Sequence, residues 1–182
     1  AWEAAAAGGA TSVNGLSDAK TFGTSSIMIG DATTGTIDAA NYNTGVGIDV
    51  FAALTSGDNN TAVGYQALTA NTEGPSNTAI GYQALLVNTD ATHNTAVGAR
   101  TLSSNVTGDR NVAVGYAALE SNNSTNGGSY NVGVGFSALC VNQASSNVAI
   151  GYSALGLNTT GTPNIAIGYG ALDANTTAAH NT

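Results

Sequence analysis

The chain has 182 residues, of which 42% are hydrophobic and only 8% charged, with 24 glycines, 2 prolines and a net charge of −8. Eleven acids against Lys20, Arg100 and Arg110 leave no cluster of cations to displace counterions, which argues against nucleic-acid and anionic-membrane partners. No apolar run is long enough to span a bilayer, the single Cys140 permits neither an intrachain disulfide nor a cysteine-based zinc cluster, and bias this strong points to internal repetition.

Residues 1–25 lie outside the repeat and read as an N-terminal cap or docking segment, with Trp2, Leu16 and Phe22 as plugs for an otherwise open first coil. The chain opens on Ala1-Trp2-Glu3 without an initiator Met or a signal-peptide pattern, as expected of a processed or excised segment. A divergent unit, Ser26 to Gly30, stands 17 residues before Asn43. From Asn43 the units begin at Asn60, Asn77, Asn94, Asn111, Asn131, Asn147 and Asn164, at spacings of 17, 17, 17, 17, 20, 16 and 17. The last repeat breaks off at Asn181-Thr182, which fits either a longer fibre or a dock for the next molecule's N-terminal region.

Within a unit, with the Asn as position 1, positions 2 and 4 are β-branched, as in Thr61/Val63 and Ile165/Ile167, which favours a strand with both on one face. Position 3 is only Ala or Gly and is expected at a chain–chain contact. Position 5 is always glycine (Gly30, Gly47, Gly64, Gly81, Gly98, Gly115, Gly135, Gly151, Gly168), which requires either positive φ or another backbone too close for a Cβ. Position 6 is mostly aromatic: Tyr65, Tyr82, Tyr116, Phe136, Tyr152 and Tyr169, with Ile48 and Ala99 as exceptions. Position 9 is Leu from Leu68 to Leu172, after Phe51 in the first clear unit. Position 12 is Asn71, Asn88, Asn105, Asn122, Asn142, Asn158 and Asn175, marking a turn that can also form a side-chain ladder. Positions 13–17 read as a variable surface loop that absorbs the insertion near Asn126-Gly127-Gly128.

The pattern predicts strand, glycine corner, short strand, Asn turn and loop, repeated. A glycine and a β-branched run in every unit oppose helix, and no 3.6-residue period is present. The expected fold is an all-β solenoid or β-roll of about nine 17-residue coils, roughly 40 Å long at strand spacing. Positions 2 or 4, 6 and 9 are expected to fill each coil. So thin a roll, with an aromatic stripe outside, calls for a partner chain packed lengthwise against it.

"NVAIGY" (Asn147 to Tyr152) resembles the N-S-V-A-I-G head repeat of trimeric autotransporter adhesins, and N-T-A-[VI]-G-Y-x-A-L resembles repeats in phage tail fibres and large bacterial surface proteins. The resemblance covers about 85% of the chain, residues 26–182. It implies a trimeric left-handed β-roll and an extracellular location, on a virion fibre or a cell surface. The unit here is longer than the usual adhesin-head unit, and its Y-x-A-L half replaces the small-residue second strand. No binding residue carries over, because such repeats supply scaffold.

Chemistry is sparse. His93 and His180 fall five coils apart in the loop, and no Ser/His/Asp constellation gathers around them. Asp58, Glu73, Asp90 and Asp109 read as solvated loop charge rather than a glycosidase pair. The G-G-x-G-x-D calcium signature is absent, and the Gly-x-Gly stretches at Gly45 and Gly133 belong to the repeat rather than to phosphate loops. Cys140 sits at a variable position, as either a tolerated small residue or a reactive or intermolecular thiol. The stripe Tyr65, Tyr82, Tyr116, Tyr152 and Tyr169 is expected either to pack between coils or chains, or to face glycans. The resulting expectation is a non-catalytic structural or adhesive fibre segment without cofactor or metal, partnered by itself and by cell-surface glycans. The alternative is a self-assembling extracellular filament subunit with head-to-tail contacts and no receptor role.

Overall fold

The computed structural model describes residues 19–22, 26–30, 39–122 and 128–182. Its ten strands are β1 (Ala19–Phe22), β2 (Ser26–Ile29), β3 (Thr44–Val46), β4 (Thr61–Val63), β5 (Thr78–Ile80), β6 (Thr95–Val97), β7 (Val112–Val114), β8 (Val132–Val134), β9 (Val148–Ile150) and β10 (Ile165–Ile167). They form one sheet in sequence order. From β2 onward every pair is parallel and in register, so Ala62 lies beside Ala79 and Ala79 beside Ala96. The chain is a parallel β-solenoid of about eight turns, with no helix among the described residues. β1 alone runs antiparallel, Ala19 opposite Ile29 and Phe22 opposite Ser26. It pairs the outer edge of the first parallel strand, which would otherwise be an unpaired template. Of the expected N-terminal plugs, Trp2 and Leu16 lie outside the described residues, as do Asn126 and Gly127 of the insertion.

The interior differs from the expectation. Position 3 points inward: Ala62, Ala79, Ala96, Ala113 and Ala149 are fully buried, so these methyls are core and not a chain–chain contact. They meet the alanines of position 8 and the leucines of position 9, as in Ala67 with Leu68 and Ala84 with Leu85. Positions 2, 4 and 6 point outward instead. The cause is width, since strand and facing segment approach so closely that only a methyl fits between them. In the first clear coil even that is too much: a Cβ on Gly45 would stand 3.0 Å from Val50 and 3.1 Å from Phe51, the larger residues that replace Ala and Leu there. Interiors pack to a fixed volume, and a smaller residue on one wall admits a larger one opposite.

The expected second strand is replaced by a run of turns. Positions 7 and 9 adopt left-handed backbone without being glycine, as at Gln66 (φ 57°), Leu68 (φ 50°), Gln83 (φ 55°) and Leu85 (φ 51°). Left-handed backbone costs an L-residue roughly 1–2 kcal/mol. It is held here because alternating handedness turns successive amides up and down the rod: Gln66 N donates to Ile48 O one coil back, and Leu68 N to Ala84 O one coil on. Buried backbone groups must find partners, and this geometry supplies them without a strand.

Candidate functional site

The glycine corners answer to both causes at once. Gly64 has φ 129° and Gly81 φ 140°, in a region that L side chains rarely enter. A Cβ on Gly64 would also stand 2.5 Å from the carbonyl oxygen of Gly81 in the next coil. The same holds along the column Gly47, Gly98, Gly115, Gly135 and Gly151, while at Gly168, in the last coil, positive φ remains but nothing lies within 4 Å.

The position-12 asparagines do form a ladder. Nδ2 of Asn88 donates to Oδ1 of Asn71 (2.9 Å), Asn105 to Asn88 (3.2 Å), Asn122 to Asn105 (2.9 Å), Asn142 to Asn122 (3.4 Å), Asn158 to Asn142 (2.8 Å) and Asn175 to Asn158 (3.0 Å). In the first clear coil Leu54 takes that place, fully buried. A second amide ladder, at position 1, carries as much. Asn60, Asn77 and Asn94 are buried, and the Oδ1 of each accepts the backbone N–H of the next, Asn77 N to Asn60 Oδ1 at 2.8 Å and Asn94 N to Asn77 Oδ1 at 3.0 Å. Its signal is plain in the sequence, an Asn heading every unit. Both ladders converge on the carbonyl of position 15: Gly108 O accepts from Asn94 (2.8 Å) and Asn105 (2.9 Å), and Gly128 O from Asn111 (2.8 Å) and Asn122 (2.7 Å). Position 15 is only ever Gly or Ala (Gly57, Gly74, Ala91, Gly108, Gly128, Ala144, Gly161, Ala178), a restriction hidden inside the stretch read as a variable loop.

That loop is also less free at position 16. The carboxylate of Asp58 accepts the Asn41 backbone N–H at 2.6 Å, and that of Asp109 accepts Thr92 N–H at 2.7 Å, so these two acids bridge coils rather than merely meeting water. His93 and His180 are exposed, left-handed loop residues as expected. Among the described residues no group of three or more His, Cys, Asp and Glu is placed to hold a metal ion. Cys140 is half-buried, its Sγ 4.0 Å from Glu120 Oε2, while Arg100 pairs with that same Glu120. Burial, and then the Glu120 carboxylate, push the Cys140 thiol up, and the Arg100 guanidinium offsets part of the rise. A thiol held in its protonated form is a poor nucleophile. A groove opens beside it where Gly156 lacks a side chain, with Leu157 and Asp173 also on its walls.

The outward face is the dominant surface. Positions 2, 4 and 6 hold no charged residue in any clear coil. Val46, Ile80, Val114, Ile150 and Ile167 stand exposed in one column, with Val112 and Ile165 in the column beside it. Past the glycine corner the aromatics stack between coils in two runs. Tyr65 and Tyr82 lie 5.6 Å apart between centroids; Tyr116–Phe136, Phe136–Tyr152 and Tyr152–Tyr169 lie at 5.1, 5.2 and 5.0 Å, all within 18° of parallel. Ala99 separates the two runs. The rings thus pack between coils and face outward together, with Tyr82 50% and Tyr152 48% exposed. Against protein-family models, curated proteins and solved structures, the chain finds no match.

Proposed function

We propose that the chain is a structural and adhesive segment of an extracellular fibre, of the phage tail fibre or bacterial surface adhesin kind, non-catalytic and built from three copies packed lengthwise. The observation that carries this reading is the uncharged outward stripe of positions 2, 4 and 6, continuous over the rod. Counting roughly 200 Å² for each full side chain, its exposed large hydrophobics present on the order of 1,000 Å² or more. A typical monomer's largest apolar patch is about 300–600 Å², whereas a stable interface takes about 800 Å² from each partner. Strand register brings identical residues to every coil, so copies laid side by side meet along the whole length. Counting the divergent unit at Ser26–Gly30, each chain contributes about nine coils, and the sequence resemblance supports a trimer.

Light scattering on the purified chain tests this. A molar mass of three chains is the expected result. A stable monomer overturns the lengthwise oligomer, and an open-ended mass distribution replaces it with the head-to-tail filament.

A further inference from the structure

Position 17 takes left-handed backbone in every clear coil except at Pro163. In three consecutive coils it carries His93 (φ 59°), Arg110 (φ 56°) and Tyr130 (φ 60°). Arg110 N donates to Thr92 O and Tyr130 N to Asp109 O, each at 3.0 Å. The three residues therefore stand on neighbouring rungs, about 5 Å apart. Arg110 is held over the Tyr130 ring, its guanidinium carbon 5.6 Å from the centroid, and Nη1 donates to the Tyr130 hydroxyl at 3.3 Å. Such a pair restricts a side chain that would otherwise sweep solvent.

Arg110 is in a different position from Arg100, whose charge is met by Glu120. Among the described residues no carboxylate lies within ion-pairing distance of Arg110. The neighbouring Asp109 spends one carboxylate oxygen on the Thr92 backbone amide. His93 turns Nδ1 to the Thr92 hydroxyl at 2.9 Å, which leaves Nε2 for an outside group. Tyr130 is 57% exposed. A pre-positioned planar cation, an open aromatic ring and an imidazole nitrogen thus meet on the surface of a chain whose net charge is −8.

We infer that His93, Arg110 and Tyr130 form a binding subsite for a carboxylate-bearing sugar, a uronic or sialic acid unit. The free donors of Arg110 match a carboxylate in two-pronged fashion. The exposed ring of Tyr130 offers the apolar face of a pyranose a surface to rest on, and His93 Nε2 reaches a hydroxyl. A polyanion such as nucleic acid needs many clustered cations, and the three scattered ones of this chain do not hold it. A single acidic sugar needs only one. The inference rests on the adhesive reading for the source of its ligand, and a lengthwise oligomer would present several copies of the subsite at one height, adding avidity to weak single contacts.

Titrations of the full chain by saturation-transfer NMR, with 3′-sialyllactose and trigalacturonic acid as probes and lactose as the neutral control, test the subsite. At least one acidic probe is expected to bind with a Kd of about 1 mM, a weak single-site contact, and lactose is expected not to bind. R110A should weaken binding at least tenfold and R110K nearly as much, because lysine lacks the planar fork. R100A should leave it unchanged. These side chains are solvent-facing, and circular dichroism confirms that each variant keeps the fold. The inference is overturned if neither acidic sugar binds, if lactose binds equally, if R110A binds like the parent chain, or if an Asp/Glu-rich peptide binds more tightly than both sugars. Its failure would leave a three-chain mass untouched, so the two readings fall separately.

Discussion

Gly98→Ala separates the two demands on the corner column. Gly98 has φ 132°, and an added Cβ would sit 2.5 Å from the Gly115 carbonyl oxygen and 2.7 Å from its carbon. A relaxed carbon–oxygen contact between strands is about 3.3–3.6 Å, so the coils must separate locally by most of an ångström. The backbone strain alone is worth about 1–3 kcal/mol. Separation also stretches the rung bond across that gap, Gly115 N to Val97 O (2.8 Å). A buried donor left without its acceptor costs about 1–3 kcal/mol, which with the backbone strain puts the total for G98A at roughly 2–6 kcal/mol. Gly168→Ala carries the same backbone strain, at φ 127°, but meets nothing within 4 Å, so it should cost only the first part.

Urea unfolding followed by circular dichroism, at one fixed protein concentration, gives the global effect. Amide exchange at the substituted coil gives the local one, since stacked repeats open in pieces. G98A is expected to lose clearly more local protection relative to its parent coil than G168A does relative to its own. Equal losses would show that the glycine serves φ alone, and losses below about 1 kcal/mol in both would refute the steric reasoning altogether.

The position-1 ladder makes a second prediction. Asn94→Ala leaves the buried Asn111 N–H without its acceptor at 2.9 Å and removes the 2.8 Å bond to Gly108 O, for an expected loss of about 2–4 kcal/mol by urea midpoint. Asn94→Asp keeps the acceptor but aims a carboxylate at that carbonyl; burial raises its pKa, the folded chain holds the proton longer than the unfolded one, and stability must fall as pH rises through the ordinary carboxylate range. N94D should therefore lie nearest the parent chain in acid and furthest at neutral pH, and a flat difference would contradict the buried ladder. The Cys140 thiol, pushed up by burial and Glu120, should alkylate slowly at neutral pH and faster in E120Q. The folded thiol keeps its proton above the pH at which the unfolded one loses it, so stability falls as pH rises through the ordinary thiol pKa, and C140S should remove that slope. A rate unchanged in E120Q would show that the carboxylate plays no part.

Much of the coil was legible because local chemistry repeats. A glycine every coil, as at Gly64 and Gly81, announces a backbone that no other residue can follow, and a recurring Asn71 or Asn88 announces a turn with an amide to share. Strict 17-residue spacing makes in-register stacking the natural consequence. The left-handed Leu68 and Gln66 gave no such notice: neither residue type prefers that conformation, and only hydrogen bonds to the coils on either side hold it. The position-15 restriction to Gly or Ala was visible but sat among variable neighbours, and its cause, two amide ladders meeting one carbonyl, exists only once coils are stacked.

The sequence by itself therefore determined the period, the corners and the all-β class, since each follows from what a single residue's backbone permits. Tertiary structure alone decided which strand face is core. Alternation puts Thr61 and Val63 on one side and Ala62 on the other, but nothing within the strand says which side is inside. The narrow gap to Ala67 and Leu68 admits only the methyl, and that sends the larger β-branched residues, and the stacked tyrosines beyond the corner, out to the surface.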